Sequence, residues 1–406
     1  MPAEPPVTSH QQGGGAPGAA RDRLVTARFA LVTLSTFAYF MAIGSLVPTL
    51  PRFVDRDLGG GSIAVGAAVG VFAFAAAVLR PLAGRLGDLR GRRILVVGGS
   101  AVVAVSVLGY TVADDLVVLL ALRLLTGAGE AAMWVGAATA VQDMAPDDRR
   151  GEAASYFSVA LYAGLAFGPM AGETILRRSG FDAVWVAAGI SALVATVFGM
   201  WTPRRPPGEP QPFRLLQRDA LRPGVLLLLG LVPFIGFSAF VSLYGPEVSI
   251  DDVAPLFLLY GVLVLVIRIV AARLPDRLGT QRAASIALAT LAAAGATLGV
   301  WGSAGGVWLA TVALALGMSM LFPALFSATV AAAPEEQRGQ AVGTFSLFFD
   351  TASGLVPPLM GVVVALSSYR AAFAASGGVA LVGLAMVTRL TGGRLPGRDV
   401  SVAAED

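Results

Sequence analysis

Three ionisable side chains fall where water should be scarce: Arg123, Glu130 and Asp350 each interrupt a stretch of otherwise apolar residues. An arginine well inside such a stretch costs on the order of 2.5 to 3.5 kcal/mol on membrane-insertion scales, so it must face a cavity or a partner. The plainest partner for Arg123 is a helix carbonyl. A carboxyl taken out of water is easier to protonate, which makes Glu130 a usable proton carrier. A neutral Glu130 that hydrogen-bonds cargo or a neighbouring helix is the alternative. Asp350 has three possible partners: a proton, a cationic substrate or an arginine from the first half of the chain. Glu130 follows Arg123 by seven residues, which at about 100° per residue returns to nearly the same helix face about 10 Å along the axis. The two therefore share a face without touching.

Other chemistries are ruled out by what the chain lacks. The single histidine is His10, in a Pro/Gly/Gln-rich leading stretch with the composition of a disordered tail, so no histidine relay can run through the apolar segments. There is no cysteine and hence neither a disulfide nor a thiolate metal site. Every basic residue is arginine, so the lysine of a phosphate-binding loop is missing and nucleotide-driven pumping by this chain is excluded. No metal pattern is present, and neither a cofactor nor a nucleic-acid partner is expected.

The elements that must position these residues are membrane helices. The hydrophobic fraction of 56% and charged fraction of 14% depart from the roughly 45 to 50% and 25% of soluble domains. Twelve apolar stretches approach the roughly 20 residues that cross a bilayer, six on each side of a polar centre. The expected organisation is a cytoplasmic tail over 1–27, a six-helix bundle over 28–202, a Pro/Arg-rich linker over 203–222, a second six-helix bundle over 223–391 and a cytoplasmic tail over 392–406. The leading stretch lacks the pattern of a signal peptide, so the first span should stay uncleaved. With the N-terminus inside, 21 arginines fall on the cytoplasmic side and 5 on the other, which places both termini in the cytoplasm. Short loops leave no room for a soluble catalytic domain, so an enzyme is not expected.

The two bundles are copies of one unit. Arg80-Pro-Leu-Ala-Gly-Arg-Leu-Gly-Asp88 aligns with Arg268-Ile-Val-Ala-Ala-Arg-Leu-Pro-Asp276, and Pro146-Asp-Asp-Arg-Arg-Gly-Glu-Ala with Pro334-Glu-Glu-Gln-Arg-Gly-Gln-Ala, both at an offset of 188. Parallel repeats of this size are an architecture of secondary transporters, with the cargo site near the midplane between the halves. Arg80 and its mate Arg268 lie near the cytoplasmic ends of their spans and are expected to reach the interface or loop carboxylates such as Asp88 and Asp276. Asp350 has no acidic mate, because Tyr162 occupies that position.

The loop after the second span reads Gly84-Arg-Leu-Gly-Asp88-Leu-Arg-Gly91-Arg92-Arg93, echoed at Arg273-Leu-Pro-Asp276-Arg277-Leu-Gly279. It resembles the cytoplasmic loop signature of the major facilitator superfamily, Gly-x-Leu-Ala-Asp-Arg-x-Gly-Arg-Arg/Lys, with Gly87 for Ala and the first basic residue shifted by one. The resemblance extends from about residue 28 to 391 and implies an all-α fold of twelve transmembrane helices in two pseudo-symmetric halves. It also implies that Gly84, Asp88, Gly91, Arg92, Arg93, Asp276 and Arg277 form a latch holding the cytoplasmic side closed against the second half. Arg123 with Gly127 and Gly129 is similar to the family signature associated with proton coupling. Gly164-Leu-Ala-Phe-Gly168-Pro169-Met-Ala-Gly172-Glu173 resembles the signature of proton-antiporting branches, with Glu173 in place of the last glycine. Small residues four apart allow close helix packing and the proline supplies a bend, which makes Gly164, Gly168, Pro169 and Gly172 a candidate hinge between halves.

Aromatics in the candidate cavity spans include Phe37, Tyr39, Trp134, Phe237, Phe240 and Phe349. Phe237 and Phe240 lie three apart and could present one face to an apolar, bulky ligand. The expected protein is a proton-coupled exporter of a small organic compound in the cytoplasmic membrane, working as a monomer among lipid, with Glu130, Asp350 and Arg123 as coupling residues. A proton symporter importing a sugar or organic acid has the same fold. A membrane sensor that no longer transports is the alternative of another class, and the costly charges within its spans argue against it.

Overall fold

The computed structural model describes residues 24–146, 149–204, 217–270, 277–334 and 338–390. Most of the linker and both tails lie outside these residues, as does Asp276. Among the described residues the regular structure is helical, without strands: α1 Ala27–Arg56, α2 Gly61–Arg90, α3 Arg92–Leu108, α4 Leu116–Met144, α5 Arg150–Gly199, α6 Leu221–Tyr244, α7 Ala254–Val270, α8 Thr280–Val300, α9 Ala304–Ala332, α10 Arg338–Leu366 and α11 Tyr369–Leu390. Ten helical segments are long and apolar enough to cross a membrane, and α7 is a shorter apolar helix.

Helix α5 has 50 residues, about 75 Å at 1.5 Å per residue, more than twice the roughly 30 Å hydrocarbon core. It is broken at Gly180, whose φ of 80° and ψ of −177° are non-helical and belong to a region essentially reserved for glycine. Before the break, Gly164, Gly168 and Gly172 meet Phe40, Gly44 and Ser45 of α1 in ascending order. After it the order descends, with Ser191 Oγ donating to the Ala38 carbonyl at 2.8 Å and Ser35 Oγ to the Ala195 carbonyl at 2.7 Å. The two limbs therefore run in opposite directions beside α1.

The duplication written in the sequence is also written in the backbone. Gly91 and Gly279, 188 positions apart, carry positive φ of 87° and 76° at the entry to α3 and α8, a conformation glycine adopts without steric cost. Asp115 Oδ1 caps α4 by accepting from the Val118 amide at 2.9 Å, and its repeat mate Ser303 caps α9. Such caps satisfy amides that the helix itself leaves unpaired.

The first half packs α1 against α5, α3 against α4 and α2 against α4, while the second packs α8 against α9 and α11. The seam between halves is built from α2 against α10, α5 against α7, and α1 against α6. Along the α2–α10 contact, Gly66 faces Pro357, and a Cβ on Gly70 would lie 2.7 Å from the Pro358 ring, so the backbones meet where only glycine fits. Ser62 Oγ closes the same end by donating to the Gly361 carbonyl at 3.0 Å.

Candidate functional site

The seam carries a chain of ionisable groups contributed by four helices. Arg80 of α2 donates from Nη1 to Asp350 Oδ2 of α10 at 2.7 Å, while its Nη2 lies 3.5 Å from Glu130 Oε1 of α4. Glu130 in turn accepts from the Tyr39 hydroxyl of α1 at 2.6 Å. The Arg80 guanidinium also lies 5.5 Å from the centroid of the Trp134 ring, within cation–π range. Both acids are buried. One guanidinium thus serves two carboxylates, one across the seam and one in its own half.

A related pair stands at the other crossing of the seam. Arg268 Nη2 of α7 donates to the Tyr162 hydroxyl of α5 at 2.7 Å, and the guanidinium lies 4.3 Å from the centroid of the same ring. Arg268 is the repeat mate of Arg80 and Tyr162 that of Asp350. The duplication has kept the cation twice and the carboxylate once.

The structure brings Glu130, Asp350, Tyr39 and Trp134 together. Arg123 stands apart: its Nε donates to the Ala68 carbonyl at 2.8 Å and its guanidinium stacks over Phe72 at 4.5 Å, so it fastens α4 to α2. Arg80 reaches the interior acids, and not the loop carboxylate Asp88, which pairs with Arg92 at 2.7 Å. Arg92 Nε lies 3.6 Å from Asp143, so these ion pairs of the loop stay within the first half and none reaches across the seam. Gly84 has open space where a Cβ would stand, and Gly91 makes the α2–α3 turn. Arg93 borders a groove of about 560 Å³ with Arg90 and Arg204, and Arg277 is exposed.

Gly164, Gly168 and Gly172 press α5 onto α1 within the first half, with a Cβ at Gly168 only 2.8 Å from Gly44 Cα. The break in α5 is at Gly180; Pro169 is accommodated inside the helix. Phe237 and Phe240 are fully buried and pack separately, against Phe257 of α7 and Tyr369 of α11, so they share no open face. Phe37 and Phe349 are half-buried.

A second ionic centre joins Arg52 and Glu173. Arg52 and Glu173 are both buried near the α1–α2 turn, with Arg52 Nη1 2.7 Å from Glu173 Oε1. Arg52 also donates from Nε to the Ser242 carbonyl at 3.1 Å and from Nη2 to the Asp251 carbonyl at 3.3 Å, both in the second half. The sequence signal was Glu173 itself, an acid where the resembled signature carries glycine.

Comparison with known proteins agrees with this architecture. The family model described as Major Facilitator Superfamily matches residues 32–313 and 246–406. An uncharacterized MFS-type transporter of Salmonella typhimurium is 28% identical over 368 residues, covering 88% of this chain and 94% of its own. The uncharacterized MFS-type transporter YhhS of Escherichia coli K12 is 26% identical over 377 residues, covering 89% and 92%. Among solved structures, a POT family transporter in complex with a thioalcohol-conjugated peptide superposes with a TM-score of 0.78 at 13% identity, over 90% of this chain and 96% of that one. A bacterial homolog of the human lysosomal transporter Spinster, in an inward-facing and occupied conformation, gives 0.70 at 16%, over 90% and 97%. These low identities speak to the fold alone, whereas the family match spans nearly every helix that builds the seam. The chain is a multi-pass membrane transporter belonging to the major facilitator superfamily.

Proposed function

We propose that this transporter exports a small organic compound across the cytoplasmic membrane in exchange for protons, as a monomer with both termini in the cytoplasm. The observation that carries the reading is the position of Arg80 between Asp350 across the seam at 2.7 Å and Glu130 in its own half at 3.5 Å. With both acids ionised, Arg80 ties α2 to α10. A proton taken up by Asp350 cancels the attraction across the seam, and the guanidinium turns to Glu130, which Tyr39 holds in place. The seam is then free to part.

The packed contacts at Ser62–Gly361 and Arg52–Ser242 close the end of the bundle that carries the α1–α2 turn. In the proposed orientation this is the outer end, and cargo enters between the halves from the cytoplasm. Asp88 and its neighbours engage the second half only when the inner side closes. The energetics suffice: one charge moving down 100 mV releases about 2.3 kcal/mol, which supports roughly a 50-fold gradient at tenfold per 1.4 kcal/mol. Export in preference to import follows from the likeness of Gly164 to Gly172 to the antiporting branches.

The test is purified protein in vesicles loaded with a pH-sensitive dye, under an imposed proton gradient, challenged with hydrophobic cations, neutral antibiotics and aromatic acids. Compound-dependent dissipation of the gradient by the wild type is expected. Folded protein that transports a compound without moving protons contradicts the reading.

A further inference from the structure

Among the described residues, one cation of the seam stands without an anion beside it. Arg80 has Asp350 and Glu130, whereas Arg268 has no ion pair among the described residues, and its hydrogen-bond partner is the neutral hydroxyl of Tyr162. Among the described residues the buried Arg268 Nε has no hydrogen-bond partner, a feature it shares with the Arg80 Nε. Tyr260 lies on the same helix, α7, as Arg268. The Tyr260 ring stacks on Phe234 with centroids 4.7 Å apart and an 18° tilt. A guanidinium without a counter-ion inside a membrane bundle is costly, and such groups pair with a partner that function supplies.

The repeat locates the missing partner. Asp350 provides the carboxylate for Arg80, and the equivalent position opposite Arg268 carries Tyr162, whose ring covers the guanidinium without neutralising it. We infer that the cargo is an amphipathic organic anion, whose carboxylate pairs with Arg268 and accepts from its Nε, while an apolar or aromatic body lies along the Phe234 and Tyr260 rings. Guanidinium suits this role because its planar fork can donate two parallel bonds to one carboxylate. The inference deepens the reading of the seam as the cargo site and rests on it. It does not depend on proton coupling, since binding at Arg268 requires no gradient.

The test is thermal unfolding of the full-length protein in detergent, without a proton gradient, titrated with 1-naphthoate, its neutral amide 1-naphthamide, and tetraphenylphosphonium. Naphthoate should raise the melting temperature of the wild type and of Arg268→Lys, and should act on Arg268→Gln only at concentrations at least tenfold higher. The amide and the cation should discriminate none of the three. A ligand-free arm uses Tyr162→Glu, which installs the missing anion in the protein. It should raise the melting temperature when residue 268 is Arg, fail to do so when it is Gln, and remove the naphthoate response. A like response of wild type and Arg268→Gln to naphthoate, whether both shift or neither does, overturns the inference. So does a Tyr162→Glu effect that is independent of residue 268. Proton flux in vesicles is a separate readout, so a failure of antiport and a failure of anion binding remain distinguishable.

Discussion

Arg80 and Asp350, 270 positions apart in the chain, meet at 2.7 Å across the seam between the two halves, and the repeat mates Arg268 and Tyr162 meet at 2.7 Å across its counterpart. The same geometric slot is thus filled once by an ion pair and once by a cation on a phenol. Symmetry sets where the halves touch, and the difference between Asp350 and Tyr162 gives the two crossings different chemistry.

Glu130→Gln should slow transport at least tenfold in both gradient-driven and gradient-free exchange assays. With no carboxylate in its own half, Arg80 has nowhere to turn and remains on Asp350. An unchanged exchange rate in folded protein would show that Glu130 is not the alternative partner.

Arg123→Gln should lower stability and leave the pH profile of transport unchanged. Arg123 donates to the Ala68 carbonyl and stacks on Phe72, and a hydrogen bond from a charged group contributes about 1.5 to 3 kcal/mol. Thermal unfolding beside a pH series of flux measures both, and a displaced pH profile would return Arg123 to a role in coupling.

The glycines of two signatures should differ in tolerance. Gly168→Val drives two methyl groups into Gly44 at the α1–α5 contact, and overpacking of this kind costs about 1 to 3 kcal/mol. Gly84→Ala meets nothing within 4 Å and should be neutral or stabilising by up to about 1 kcal/mol through helix propensity. Melting temperatures of the two variants read the contrast directly.

Much of the fold was legible because a bilayer admits few solutions: runs of about 20 apolar residues must be helices, and an offset of 188 that holds at two landmarks must be a repeat. Gly91 and Gly279 confirm that register in their backbone angles. The candidate site was legible in part. Glu130 and Asp350 stand out as acids in apolar stretches, but nothing local tells that one arginine serves both, because Arg80 lies in the last third of its helix and has the length to snorkel to the interface. Arg123, the more conspicuous intramembrane cation, is satisfied by a carbonyl from the neighbouring helix. Helix periodicity also could not separate a ligand face from a packing face at Phe237 and Phe240, which differ only in which neighbouring helix receives them. The Arg52–Glu173 pair joins residues 121 positions apart and belongs to tertiary structure alone.

The most direct test of the account is Asp350→Asn in vesicles, comparing gradient-driven accumulation of a transported compound with its gradient-free exchange. The account predicts that Asp350→Asn loses gradient-driven accumulation and pH dependence yet keeps exchange, because the seam can part without a proton once the acid is gone. Accumulation at the wild-type level, with the wild-type pH profile, would contradict the claim that a proton on Asp350 releases Arg80 and opens the seam.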